Sequence, residues 1–249
     1  MAMSDGDFTA VVTGASSGIG LDLAKRMLDR GWRVIGLSLE MAKFSHQHFD
    51  DRFEAIKVDL LDESATAAVA KDIAARHAVT HIVHNAGLIW PNLLDAVKPA
   101  EIDGLTRLHL TSPMILTQAL VPAMRQRHFG RIVFVSSRAA MGVPTRTAYS
   151  ATKAAIHGMA RTWALELGPD GITVNVVAPG PILTDNFWSI IPKDSERQQK
   201  LADQLPVRRL GTVADVSRAV LFFSEPEASY VTGQVLFVCG GSSLGGLSL

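Results

Sequence analysis

The chain has 249 residues, 47% of them hydrophobic and 19% charged, and its 24 basic residues balance 24 acidic ones. That composition supports a substantial core and excludes a disordered chain, while the balance offers no field that would draw nucleic acid or an anionic membrane. The single cysteine, Cys239, excludes an intramolecular disulfide.

The opening residues, MAMSDGDF, carry neither the basic nor the apolar region of a signal peptide, so a cytoplasmic location is expected. The first apolar run, 8–13, predicts a strand that leads into Thr13-Gly14-Ala15-Ser16-Ser17-Gly18-Ile19-Gly20 and a helix over 19–30. Gly14 suits a tight turn, Gly18 lets backbone approach a pyrophosphate, and Gly20 lets helix and strand pack closely. Free N–H groups and the positive dipole end of that helix favour an anion. The spacing Gly-x-x-x-Gly-x-Gly differs from the Gly-x-Gly-x-x-Gly dinucleotide fingerprint, and no Gly-Lys-Ser/Thr follows, as a P-loop requires.

A second strand, 33–38, ends at Ser38-Leu39-Glu40, and a third, 54–58, is followed by Asp59-Leu60 and a helix over 63–76. Between these two strands, His46-x-His48 is the nearest approach to a metal pair; with no third ligand it reads as surface loop, and no metal is expected. The strand 81–84 runs into Asn85-Ala86-Gly87, and one long helix is predicted over 99–127 with His109 in its middle. The strand 131–136 ends at Ser136-Ser137, and the helix 149–167 carries Tyr149 and Lys153. The strand 173–178 ends at Pro179-Gly180. Residues 181–210, with Pro181, Pro192 and Pro206, suit a mobile lid rather than a scaffold. A helix over 213–223 and a strand over 234–238 complete the pattern. No apolar run, 132–135 and 174–178 included, is long enough to span a bilayer. Seven strands with helical crossovers predict an α/β, doubly wound, mainly parallel sheet covered on both faces, as one domain over 1–249. Its ligand crevice belongs at the carboxyl ends of the strands.

A helix puts Tyr149 and Lys153 on one face, so the ammonium can lie beside the phenol. A nearby fixed cation favours the phenolate of a group that otherwise keeps its proton to about pH 10.

Thr13-Gly-x-x-x-Gly18-x-Gly20, Asn85-Ala86-Gly87, Tyr149-x-x-x-Lys153 and Pro179-Gly180 stand in the order and spacing of the short-chain dehydrogenase/reductases. From about residue 8 to residue 241 the chain resembles that family. The resemblance implies a single Rossmann-like domain, a nicotinamide cofactor, hydride transfer between an alcohol and a carbonyl, and a homotetramer. By motif, it implies that Gly14, Ser16, Ser17, Gly18, Ile19 and Gly20 contact the pyrophosphate and its ribose. Asp59 and Leu60 would recognise adenine, and Asn85, Ala86 and Gly87 would run beside the adenine ribose. Pro179, Gly180, Ile182 and Thr184 would meet the nicotinamide carboxamide. Tyr149 would be the acid/base, Lys153 would support its phenolate and hold the nicotinamide ribose, and Ser137 would position the substrate oxygen. The loop from Ser137 to Tyr149 is one residue shorter than the common family length, which leaves Ser136 as the alternative.

Ser38 stands where NAD-binding relatives carry Asp, and Ser17 where NADP-preferring relatives carry Arg or Lys. NAD with Glu40 as ribose ligand is the expectation, and NADP reached by Arg33 or Lys43 is the alternative. His109 replaces the usual Asn, whose family role is to kink the helix so that a backbone carbonyl binds a water touching the lysine. It could leave that carbonyl available, join the proton relay, or signal slower turnover. Cys239 stands where Asp is frequent and reads as a buried, inert thiol.

Ile89-Trp90, residues 138–143 and Phe187-Trp188 would frame a mostly apolar pocket for an aromatic, alicyclic or otherwise hydrophobic alcohol or ketone. Arg138 could pair with an anionic substrate group or stay salt-bridged or solvated. Three readings follow: an NAD(P)-dependent dehydrogenase or carbonyl reductase, a 3-oxoacyl-thioester reductase, or a non-catalytic dinucleotide sensor.

Overall fold

A computed structural model describes residues 8–44, 47–188 and 191–244. Strands β1 (Thr9–Thr13), β2 (Arg33–Ser38), β3 (Phe53–Lys57), β4 (His81–His84), β5 (Gly130–Val135), β6 (Ile172–Pro179) and β7 (Val235–Val238) form one sheet. Their order is β3-β2-β1-β4-β5-β6-β7, with every neighbouring pair parallel. The helices are α1 (Gly18–Asp29), α2 (Glu63–Arg76), α3 (Pro99–Thr106), α4 (Ser112–Arg127), α5 (Thr147–Leu167), α6 (Asp185–Trp188), α7 (Glu196–Asp203) and α8 (Val213–Ser224). After β3 the chain returns to the other side of β1, so the order reverses between β1 and β4, and a crevice opens at their carboxyl ends.

Strand alternation explains why both faces are covered. Val11 on β1 faces a core with Leu116, Leu120, Ile132 and Ile156, beneath α2, α4 and α5. Its neighbours Ala10 and Val12 face Leu23, Met27, Val216 and Val220, beneath α1 and α8. A strand apolar on both faces must be buried on both. Among the described residues, no helix is long and apolar enough to cross a membrane.

One predicted helix differs. The single helix expected over 99–127 is interrupted by a π-helical turn, Arg107–Thr111, between α3 and α4. The Ser112 N–H reaches back to the Arg107 carbonyl. Pro113 has no N–H for the carbonyl one turn back, at His109, and a widened turn is how the chain absorbs that loss. The segment 181–210, expected to be a lid, carries regular structure of its own. It contains α6, α7 and a small apolar cluster of Ala202, Leu205 and Leu210 against Leu183, Phe187 and Leu201. The α7 start was legible: the Ser195 hydroxyl accepts from the Gln198 N–H, and the Gln198 side chain reaches back to the Asp194 N–H.

Candidate active site

The glycine-rich turn joins β1 to α1, and its geometry follows from three positions. Gly14 and Gly18 have φ of 68° and 54°, in the left-handed region. A Cβ on Gly20 would lie 2.2 Å from the Gly14 carbonyl oxygen, so the helix packs on the turn at a distance only glycine allows. Asn85 ties down the same turn: its Nδ2 donates to the carbonyls of Thr13 (3.0 Å) and Gly14 (3.3 Å). The backbone N–H groups of Asn85 and Ala86 both donate to Thr13 Oγ1 at 2.9 Å. Thr13 was not singled out as a site residue in the sequence. The Asn85 side chain serves the turn itself, and only its backbone run continues beside the cleft.

Helices α2, α7 and α8 begin with side-chain caps from Asp62, Ser195 and Thr212. Helix α1 has none, and no acidic residue stands in its first turn. Its leading N–H groups therefore remain available to an anion, and the positive dipole end adds to that preference. Thr184 stands over this helix start, its Cγ2 3.5 Å from where a Gly18 Cβ would be. Ile182 is pinned beside it by a β-bridge to Gly211. Gly180 donates its N–H to Val238 (3.0 Å), and a Cβ on it would meet the Cys239 backbone at 2.7 Å. Cys239 is buried and hydrogen-bonded to the Ser243 hydroxyl. A capless helix start and a glycine cradle fit the pyrophosphate of a dinucleotide.

At the end of β2, Ser38 Oγ donates to Ser16 Oγ at 2.7 Å and accepts the Glu40 N–H at 3.1 Å. The Glu40 carboxylate expected to bind a ribose is paired with Lys43 at 2.6 Å. The sequence-based preference for NAD through Glu40 therefore gains no support. Asp59 is exposed and accepts the Leu61 N–H, while Leu60 is buried and lines a small cavity together with Thr13 and Ala86.

The catalytic end assembles from β5, the π turn and α5. Lys153 is buried, donates to the Val135 carbonyl at 2.9 Å and lies 5.6 Å from the centre of the Tyr149 ring. Here the expected electrostatics is corrected. Burial raises the Tyr149 pKa above its ordinary value, opposed by the Ser137 hydrogen bond and by Arg146. Burial also pushes Lys153 down to about 7. The ammonium and the phenol share a helix face, and the shift of each is set first by its own desolvation.

The two serines separate cleanly. Ser136 Oγ is buried, donating to the Lys153 carbonyl (2.8 Å) and pairing with His157 Nε2 (3.0 Å). Ser137 lies near enough to the Tyr149 phenol to lower its pKa and accepts the Ala139 N–H at 3.0 Å. Only Ser137 faces the tyrosine.

His109 is buried in the π turn, its ring 5.7 Å from that of Tyr149 and its Nδ1 2.9 Å from Thr152 Oγ1. A Cβ on Gly87 would meet His109 Nε2 at 3.2 Å and Lys153 Nζ at 3.4 Å, so both nitrogens converge on that glycine. Burial, then the Lys153 charge, holds the imidazole pKa well below its usual value, so His109 is neutral.

The expected substrate residues are less convergent. The Trp90 ring tip lies against α3, where a Cβ on Gly104 would meet it at 2.8 Å. Arg138 donates its Nε to the Ser242 carbonyl at 3.1 Å, which ties it to the segment after β7 rather than to a carboxylate partner. Phe187 packs into the cluster of the 181–210 segment, and its ring is 5.2 Å from Trp188, over which Lys193 sits at 5.3 Å. Among the described residues no group of three His, Cys, Asp or Glu could hold a metal; His46 lies outside them, as do residues 1–7.

A sequence profile described as enoyl-(acyl carrier protein) reductase matches residues 14–243. The chain is 35% identical over 241 residues to the (2S)-[(R)-hydroxy(phenyl)methyl]succinyl-CoA dehydrogenase subunit BbsD of Thauera aromatica, covering 94% of this chain and 96% of the relative. It is 36% identical over 236 residues to the 3-oxoacyl-[acyl-carrier-protein] reductase FabG of Vibrio cholerae serotype O1, covering 93% and 96%. Among solved structures, a proposed NAD(P)-dependent gluconate 5-dehydrogenase from Beutenbergia cavernae, with NADP bound at low occupancy, superposes with a TM-score of 0.84. Its identity is 33%, over 94% of this chain and 96% of that one.

Proposed function

The chain belongs to the short-chain dehydrogenase/reductases, a family of NAD(P)-dependent oxidoreductases, and on that premise we propose that it reduces a hydrophobic ketone to a secondary alcohol. The observation that carries this reading is the convergence of Ser137, Tyr149 and a buried Lys153 at the carboxyl end of β5. The bound nicotinamide would supply or accept the hydride, and the protein supplies everything else. Ser137 holds the substrate oxygen, and Tyr149 gives its proton to that oxygen as it gains charge. A tyrosine whose pKa is raised by burial starts with its proton in place, which suits reduction. Gly14, Ser16, Ser17, Gly18, Ile19 and Gly20 would hold the pyrophosphate side, and Pro179, Gly180, Ile182 and Thr184 the nicotinamide side.

A narrower reading is favoured by the relatives: the names of both describe acyl thioesters, one of coenzyme A and one of acyl carrier protein. The substrate class would then be a 3-oxoacyl thioester. Exposed Leu93, Leu94 and Met141 support an apolar substrate of either kind. Purified enzyme assayed with simple hydrophobic ketones and with 3-oxoacyl thioesters, following the reduced-nicotinamide absorbance, separates the two. Cofactor binding without turnover of any substrate would favour the sensor. Self-association as a homotetramer belongs to the same proposal, supported by Leu165 on α5, which is 80% exposed.

Ser137→Ala is expected to lower kcat about 10²-fold with little change in melting temperature. Ser136→Ala is expected to do the reverse. It leaves His157 and the Lys153 carbonyl short of a partner, costing about 1–3 kcal/mol of stability, with kcat within several-fold. Equal losses of kcat in the two variants would remove Ser137 from its role.

Among the described residues the Ser16–Ser38 hydroxyl pair carries no charge, and the nearby Glu40 and Lys43 are paired with each other, so we infer weak discrimination between NAD and NADP. Ser38→Asp should lower kcat/KM for NADP by roughly 10²-fold, because facing like charges cost several kcal/mol, and leave NAD little affected. Parallel titrations of both cofactors check it; equal losses would put the adenosine ribose elsewhere.

A further inference from the structure

Arg146 stands at the N-cap of α5, followed along the helix by Tyr149 and Lys153. Positions i, i+3 and i+7 share one face of a helix, so the three side chains form a stripe. Lys153 lies at its buried end and Tyr149 in the middle, near enough to Arg146 for the guanidinium charge to favour the phenolate. A molecule whose oxygen is held at the phenol therefore meets Arg146 next, toward the start of the helix.

The half-buried guanidinium is mostly unused. Its Nη1 donates to the Thr145 hydroxyl at 2.7 Å and to the Thr145 carbonyl at 3.3 Å. Among the described residues, Nε and Nη2 have no hydrogen-bond partner and no carboxylate pairs with the group. The other described arginines that are not exposed are each engaged: Arg26 with Asp22, Arg52 with Asp50, and Arg131 and Arg138 with carbonyls of distant segments. Glu101, the acid tied to this corner, takes the Asn92 amide at 2.7 Å, and no acidic residue stands in the first turn of α5. The unused Nε and Nη2 form the edge of the fork that matches both oxygens of a carboxylate.

The fork is also held in place. Thr145 has φ of 67°, a conformation that a β-branched residue adopts only under constraint. The Asn92 N–H holds the Thr145 carbonyl at 3.0 Å, Arg146 Nη1 holds both Thr145 oxygens, and a β-bridge pairs Asn92 with Arg146. The segment after β4 and the start of α5 are thereby locked side by side, with exposed Leu93 and Leu94 next in the chain after Asn92. A guanidinium fixed this way loses less freedom when it binds an anion.

We propose that Arg146 is a specificity-determining residue whose Nε–Nη2 edge binds a carboxylate that the substrate carries a few bonds from its ketone. The inference rests on the reductase reading and narrows its substrate class to hydrophobic keto acids, free or as part of a larger acyl group. Side chains one helical turn apart have Cβ atoms about 5–6 Å from each other, a span of a few carbon–carbon bonds. Arg138, the arginine that the sequence offered for an anionic group, is bonded to the Ser242 carbonyl instead.

The test compares 4-oxo-4-phenylbutanoate with its methyl ester, which share ring and ketone and differ in one charge. Calorimetry follows each binding to the full-length enzyme saturated with oxidised cofactor, for wild type, Arg146→Met and Arg146→Lys. Wild type is expected to bind the acid about 10–10²-fold more tightly than the ester, as charge-assisted hydrogen bonds allow. That preference disappears in Arg146→Met and returns in part in Arg146→Lys, which keeps the charge but not the fork. With reduced cofactor, the acid-to-ester ratio of kcat/KM follows the same pattern. A general disturbance of the variant cancels in such a ratio, because both ligands meet the same protein. Equal binding of acid and ester to wild type overturns the proposal, as does a preference that survives in Arg146→Met. Acid-selective binding that is lost in Arg146→Met, without turnover, supports the carboxylate site while the reductase reading fails. Should the variants fail to fold, a crystal structure of the wild type with cofactor and the acid decides: a carboxylate on Nε and Nη2 supports the site, and one bound elsewhere overturns it.

Discussion

Tyr149→Phe is expected to lower kcat by about 10³-fold, inside the ~10²–10⁴ that a positioned proton donor supplies. Cofactor affinity and melting temperature should be little changed. The neighbouring Ser137 hydroxyl keeps its bond to the Ala139 N–H when the phenol is gone. The pH dependence has a definite sign. Tyr149 is raised and Lys153 is lowered to about 7, so both lose protons as pH rises from neutrality into the alkaline range. Reduction, which consumes a proton at the substrate oxygen, should slow across that window, and alcohol oxidation should quicken. Initial rates in both directions over a pH series, for wild type and variant, measure this. A Tyr149→Phe enzyme that keeps a tenth of its turnover would end the assignment of the phenol as acid.

Gly20→Ala carries the second large effect, on cofactor binding. A Cβ there would lie 2.2 Å from the Gly14 oxygen, 2.8 Å from the Gly14 carbon and 2.6 Å from Asn85 Nδ2. Two of the three are backbone atoms of the turn that would cradle the pyrophosphate, so relief requires moving the turn off its Asn85 anchors. Overpacking of this kind costs about 1–3 kcal/mol, and at 1.4 kcal/mol per tenfold the cofactor Kd should rise by roughly 10²-fold. Gly18→Ala is the comparison: its Cβ would meet Thr184 at an ordinary 3.5 Å, leaving only the left-handed φ of 54° as a cost. Calorimetric titration with NAD and NADP reads both. Equal, small losses would mean that the turn does not hold the cofactor.

Much of this molecule is legible in its residues. The seven apolar runs alternate with amphipathic ones, and the strands fall within one or two residues of expectation. The break at residues 107–111 was also written in the chain, in Pro113 four residues after His109, but helical periodicity on both sides masked it. The 181–210 segment was read from its length and three prolines as a mobile lid, and its internal helices were not singled out. The cap at Ser195 and the Phe187 cluster show two short helices that close on each other.

What the sequence by itself determined is local: the period of the strands, the glycines that a tight turn demands, and a tyrosine and lysine one helical turn apart. What only the tertiary structure decided is the electrical state and partnership of those groups. Which serine faces Tyr149 depends on how β5 meets α5, and the protonation of Lys153 depends on how deeply that helix is covered. The pairing of Asn92 with Arg146 joins the segment after β4 to the start of α5. Desolvation and hydrogen-bond satisfaction are properties of what surrounds a group, and its surroundings come from residues far away in the chain.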